Sequence, residues 1–191
     1  MGYLVGSFPS GYLSARLLKG VDPREHGSGR TGGTNVLRSA GRGAAALAVI
    51  GDVAKGALPV ILAQAWLGTD AAAVIAGLAA VFGHNHSLFL RFRGGAGSAT
   101  NFGVLLALFP LVTPAVLAAA GITAYVSRMA SVASIAAAVV MVLALLASYL
   151  LSHAPAAYLI YGVLACAMII FELRPNIQRL RAGSERRVEH L

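Results

Sequence analysis

Charge is scarce in this sequence. Asp, Glu, Lys and Arg make up only 12% of its 191 residues, against about 25% in an average soluble domain. With 58% hydrophobic residues, a water-soluble domain of this size could not hide its apolar surface. The mean hydropathy of +0.75 points to lipid as the solvent. Cysteine is almost missing too: Cys166 stands alone in an apolar run, which excludes an internal disulfide framework and a Cys-based metal site. Low-complexity tracts, internal repeats and domain boundaries are also absent, so residues 1–191 read as a single integral membrane domain. The first apolar stretch lacks a basic leader, and it reads as a retained span rather than a cleaved signal.

What is present is a series of apolar segments, roughly 1–19, 44–67, 71–85, 98–109, 111–126, 129–151 and 155–171. A full span needs about 20 residues, so the third and fourth are short and either tilt, break or enter only partway. The expected fold is all-α and polytopic, with about seven transmembrane helices. Basic residues sort to alternate connections: Lys19, Arg24, Arg30, Arg38 and Arg42, then Arg91 and Arg93, then Arg128, then the tail from Arg174 to Arg187. The opposite connections have none. Positive residues stay in the cytoplasm, which places the N-terminus outside and the C-terminus inside. The net charge of +8 is explained by this topology, and nucleic acid is not an expected partner.

The unusual loops all fall on the basic side. Gly27-Ser-Gly-Arg-Thr-Gly-Gly-Thr-Asn35, followed by Arg38, has glycines that let backbone N–H groups converge on an anion, hydroxyls that add donors, and arginines suited to phosphate. Its spacing nearly imitates a nucleotide-binding loop, but Gly33 occupies the lysine position and no strand precedes it, which argues against nucleotide hydrolysis. The competing reading is a juxtamembrane loop touching lipid headgroups. In the second stretch, from Gly83 to Thr100, the turn of Gly94, Gly95 and Gly97 leads into a helix opened by Ser98 and Thr100, and a helix start is a ready anion site. His84 and His86 lie two residues apart without a nearby Cys or carboxylate, a poor metal set; one is expected to orient the loop. No metal and no cofactor are expected. At helical spacing, Ser127, Ser131 and Ser134 share one face, either as interhelical glue or as a row of donors. Asn176 lies at the membrane edge within Arg174-Pro-Asn-Ile-Gln-Arg-Leu180. Asp52 and Lys55, inside the second span, read as a charge-neutralising structural pair.

Together these stretches resemble the membrane glycerol-3-phosphate acyltransferases that use acyl phosphate. The likeness runs through Ser7-Phe-Pro-Ser-Gly-Tyr-Leu13, Gly27-Ser-Gly with Thr34-Asn-Val and Arg38, Asp52 with Lys55-Gly56, Gly83-His84 to Thr100, Ser127-Arg with Ser131 and Ser134-Ile135, and Asn176-Ile to Glu185. The resemblance implies a seven-span transferase in a bacterial plasma (inner) membrane, its active site facing the cytoplasm. It would move an acyl group from acyl phosphate to the 1-hydroxyl of glycerol 3-phosphate, giving lysophosphatidic acid for phospholipid biosynthesis. By that likeness Ser28, Thr34, Asn35 and Arg38 hold phosphate, joined by Ser131 and Asn176, with Ser28, Arg38, Ser131 and Asn176 as the catalytic set. No Ser-His-Asp triad is implied, since acyl phosphate is already activated and positioning with charge stabilisation suffices.

Three positions depart from the family pattern. Ala96 stands where the glycine turn usually has lysine, Leu173 where the tail usually has histidine, and Arg30 where the first loop usually has asparagine. One reading is that Arg30 supplies the charge Ala96 cannot. The rival is a divergent member with an altered substrate or no turnover. A transporter or lipid-handling protein is the alternative from another class, although an inverted repeat, the usual mark of transport, is not visible.

Overall fold

In a computed structural model of the chain, residues 1–188 are described, all helix, turn or loop and without a strand. The last three positions of the expected domain lie outside the described residues. The chain divides into two compact units, Met1–Leu108 and Phe109–Leu191.

The first unit holds α1 (Gly2–Gly6), α2 (Ser10–Lys19), α3 (Gly33–Leu67), α4 (Asp70–Asn85) and α5 (Ser98–Leu108). The first apolar segment, expected as one span, is thus two helices broken at residues 7–9. The physical reason is Pro9, which lacks an N–H and biases the residue before it away from helix. The second segment begins earlier than its apolar run: α3 is 35 residues long and takes in residues 33–43, because Gly41 at φ 82 lets the helix kink instead of ending. Beyond the kink, residues 42–67 span about 39 Å at 1.5 Å per residue, ample for a bilayer. Pro59 is accommodated inside α3, and Gly68 closes it in a left-handed cap.

Small residues bring these helices together, as expected where lipid removes the hydrophobic drive between spans. Ala15, Val36, Ala40, Ala44, Ala45 and Ala48 form a buried seam between α2 and α3. A methyl group on Gly103 would strike the backbone of Val53, with its carbonyl carbon at 2.8 Å, so α3 and α5 approach backbone to backbone. Tyr3 Oη donates to His86 O at 3.0 Å and Ser87 Oγ to Ser7 O at 2.5 Å, tying α1 to the end of α4.

The second unit contains α6 (Thr113–Ser127), α7 (Ala130–Ser152), α8 (Ala156–Glu172) and α9 (Arg174–Arg181). Arg128, at φ 55, ends α6. Ser127 therefore belongs to a different helix from Ser131 and Ser134, and the expected three-serine face does not form. The cause is the left-handed turn at Arg128-Met129, which interrupts the helical register. Among the described residues, four helical stretches are long and apolar enough to cross a membrane: Gly33–Leu67, Asp70–Leu90, Pro110–Ser127 and Ala130–Ser152. α8 and α9 pass only as a pair bent by 61°. Large apolar side chains such as Ile50, Ile61, Trp66, Ile75, Leu143, Leu150 and Ile160 point outward, as spans in lipid require.

Candidate functional site

In the first unit, the loop between α2 and α3 is built around two side chains. Asp22 accepts from Arg24 N at 2.9 Å and from Arg24 Nη2 at 2.6 Å, and the Arg24 guanidinium lies 5.0 Å from the centre of the Tyr12 ring. The Arg24 hydrogen bond holds the Asp22 carboxyl below the usual carboxylate range, and the same bond raises Arg24. Asn35, in the first turn of α3, is the second organiser. Its Oδ1 accepts from Ser28 N at 2.9 Å, and its Nδ2 lies 2.7 Å from Pro23 O, 3.0 Å from His26 O and 2.7 Å from Arg30 O. A side chain at Gly27, with φ +54, would collide with the Asn35 amide oxygen. The loop is curled about that amide.

Several of the expected site residues have hydrogen-bond partners within the protein. Asn35, expected on phosphate, spends its amide on the loop backbone. The turn at Gly94 and Gly95 is expected to offer N–H groups to an anion, but Gly94 N donates to Asn85 O at 3.1 Å and Gly95 N to His84 O at 3.2 Å. Thr100 is wholly buried and its Oγ1 has no hydrogen-bond partner among the described residues; it is sealed behind α3, where Gly56 packs on its backbone. Gly97, buried with φ +85, makes the turn into α5, and its carbonyl receives Asn101 N at 2.7 Å. Of the first-loop residues expected on phosphate, Ser28, Arg30 and Thr34 are half-buried and Arg38 is exposed. The two loops that sequence singled out do meet: Thr31 N donates to Gly94 O at 3.3 Å.

Asp52 and Lys55 lie inside α3, both buried, with Lys55 Nζ 2.9 Å from Asp52 Oδ1. Lys55 also donates to Phe8 O at 2.8 Å, the carbonyl released where α1 breaks from α2. His84, at the end of α4, is buried beside them.

The second unit has its own polar centre, which sequence reasoning did not assemble. Glu185 Oε1 accepts from Ser131 Oγ at 2.9 Å and from Asn176 Nδ2 at 2.7 Å, and Oε2 accepts from Arg179 Nε at 2.9 Å. Gly183, at φ +68, turns the chain back after α9, and Val188 N donates to Arg128 O at 2.7 Å. The tail is thereby strapped along the α6–α7 turn. Burial raises the Glu185 carboxyl, but the bonds from Asn176, Ser131 and Arg179 outweigh it and leave its pKa lowered. Leu173 is buried. Among the described residues no group of three His, Cys, Asp or Glu could hold a metal.

A family model described as glycerol-3-phosphate acyltransferase matches residues 1–183. A glycerol-3-phosphate acyltransferase of Roseiflexus sp. (strain RS-1) is 48% identical over 191 residues, covering 100% of this chain and 94% of that protein. Its counterpart in Gloeobacter violaceus is 44% identical, over 97% of this chain and 91% of that protein. Among solved structures, the glycerol 3-phosphate form of PlsY (YgiH), an integral membrane glycerol 3-phosphate acyltransferase, superposes with a TM-score of 0.89 at 36% identity, covering 97% of this chain and 91% of that one. The lysophosphatidic acid form of the same protein gives a TM-score of 0.86 with the same coverage.

Proposed function

This chain belongs to the glycerol-3-phosphate acyltransferase family, and on that premise we propose that it transfers an acyl group from acyl phosphate to the 1-hydroxyl of glycerol 3-phosphate. The observation that carries the reading is the likeness, over 97% of the chain, to an enzyme solved in its glycerol 3-phosphate form. In the reaction the hydroxyl oxygen attacks the acyl carbonyl carbon, and the carbon–oxygen bond to phosphate breaks. Inorganic phosphate leaves with the bonding pair, its oxygens accept the hydroxyl proton, and lysophosphatidic acid is the product. Because the donor is already activated, the protein's task is to hold two anions and offset the charge that develops.

In this reading Ser28, Thr34, Arg38 and Arg30 hold the phosphate of glycerol 3-phosphate. Asn35 and the turn at Gly94, Gly95 and Gly97 shape the loop instead of touching the ligand, which accords with their spent hydrogen-bonding groups. Ser131 and Asn176 are the catalytic polar groups of the second unit, kept in place by Glu185. The family match runs through both units, from residue 1 to 183, and supports treating 1–191 as one acyltransferase domain. The protein is multi-pass. Seven passes, an outside N-terminus and a site facing the cytoplasm of a bacterial plasma membrane follow from the alternation of basic loops. In this scheme the α1–α2 pair and the short α5 count as passes. The bilayer supplies the acyl phosphate.

The test is direct: purified protein in lipid nanodiscs, given acyl phosphate and glycerol 3-phosphate, should form lysophosphatidic acid and release phosphate in equal amounts. Phosphate release without an acylated product would reject the transferase reading.

A further inference from the structure

The charge cluster inside the first unit contains one group more than neutrality needs. Asp52 is 1% exposed, and its Oδ1 takes Ser10 Oγ at 2.6 Å and Lys55 Nζ at 2.9 Å. Lys55 alone balances that carboxylate. Yet His84 Nδ1 stands 3.3 Å from the same oxygen, a contact of ionic range that is not a straight hydrogen bond, and Asp52 Oδ2 has no hydrogen-bond partner among the described residues. Pairing explains Lys55; it leaves the imidazole unexplained.

The other edge of the ring supplies the explanation. A methyl group on Gly95 would collide with His84 Nε2, and Cε1 lies 2.8 Å from where that methyl would be. The backbone of the same turn of α4 holds the same loop: His84 O receives Gly95 N and Asn85 O receives Gly94 N. Gly94 O in turn receives Thr31 N, in the middle of the loop that carries Ser28, Arg30 and Thr34. An unbroken line of contacts runs from a carboxylate in the middle of α3, through one imidazole, to the loop at the surface.

We propose that Asp52 and His84 are positioning residues: Asp52 sets the orientation of the His84 ring, the ring seats the Gly94–Gly95 turn, and the turn fixes the cradle loop through Thr31. The inference rests on the reading of that loop as the phosphate cradle. A carboxylate facing Nδ1 selects the tautomer with the proton there and stops the ring from rotating. A ring turned out of that pose no longer fills the space Gly95 leaves, and the turn is released. Loops that bind anions lose affinity when their donors move by a fraction of an ångström, so the effect falls on substrate binding before chemistry.

The experiment compares the full-length parent with His84→Ala, His84→Asn and Asp52→Asn in nanodiscs, by amide hydrogen exchange without substrate and by steady-state kinetics. In His84→Ala the amides of 28–35 and of Gly94 and Gly95 should exchange on the order of tenfold faster, while those of α7 and α8 keep their protection. KM for glycerol 3-phosphate should rise on the order of tenfold with kcat within about twofold of the parent. Asp52→Asn should move both readouts in the same direction. His84→Asn, which keeps a donor near the Nδ1 position, should recover part of the loss. Unchanged exchange at 28–35 in His84→Ala overturns the proposal. So does protection lost evenly across the first unit in both His84 variants, which would make the cluster scaffolding alone. A parent that turns over no acyl phosphate would sink the proposed function, while the exchange measurements would still decide this inference.

Discussion

Replacing Glu185 by alanine tests the polar centre of the second unit. The carboxylate side chain is 4% exposed and accepts from Ser131, Asn176 and Arg179 at 2.9, 2.7 and 2.9 Å. Its removal leaves a buried serine hydroxyl, an amide and a partly exposed guanidinium without that acceptor. Hydrogen bonds to a charged group contribute about 1.5–3 kcal/mol each, and breaking a buried pair by deleting one partner costs about 3–5 kcal/mol. Arg179 is 28% exposed and water replaces part of its loss, so the low end applies, about 3 kcal/mol. For a chain of this length that is a fall of about 6–12 °C in the unfolding midpoint.

The assay is thermal unfolding in nanodiscs across pH, with turnover measured in parallel. Because the folded-state pKa of Glu185 is lowered, its contribution is present above the unfolded value, about 4.3 for glutamate, and is lost as pH falls through the folded value. The gap between parent and Glu185→Ala should therefore be full at neutral pH and close under acid conditions. Turnover should fall with it, since Ser131 and Asn176 lose the group that fixes them. A variant that matches the parent at pH 7 in both midpoint and turnover refutes the argument, as would a gap that widens on acidification.

Other outcomes follow from the same contacts. Asn35→Ala, which removes the amide that Ser28, Pro23, His26 and Arg30 share, should leave the loop open to limited proteolysis and raise KM for glycerol 3-phosphate. Arg38→Ala deletes an exposed cation; if it contacts phosphate, a loss of about 1.5–3 kcal/mol appears as roughly a 10- to 150-fold rise in KM, whereas an unchanged KM removes Arg38 from the site. Arg30→Ala should lower kcat/KM by about tenfold if Arg30 stands in for the missing lysine at Ala96, and turnover equal to the parent rejects that relocation. Gly103→Ala, whose methyl meets the Val53 backbone, should destabilise the α3–α5 contact by about 1–3 kcal/mol, read as a lowered unfolding midpoint.

The helices were legible because lipid forces a simple rule on the sequence: backbone groups must be paired within each span, so long apolar runs become helices, and the four longest stretches fall on expected segments. The glycine-rich loops were legible as well, because left-handed turns and backbone contacts demand residues without a side chain. What could not be read was which polar atom answers which. Asn35 and Ser28 look alike as phosphate donors in a list of residue types. They separate only when the loop closes and the Asn35 amide finds its partners within it. Ser131 and Glu185 are 54 positions apart, and no periodicity couples a helix start to a tail. One signal was available: Glu185 is the lone carboxylate between Arg174 and Val188, a stretch with five arginines. A solitary acid in a basic tail can gain charge-assisted hydrogen bonds from the donors Ser131, Asn176 and Arg179, which favours turning it inward. The same reasoning applies to His84, whose two ring edges face a carboxylate and a glycine: a titratable side chain between two features that each require a fixed neighbour is held there for what it orients.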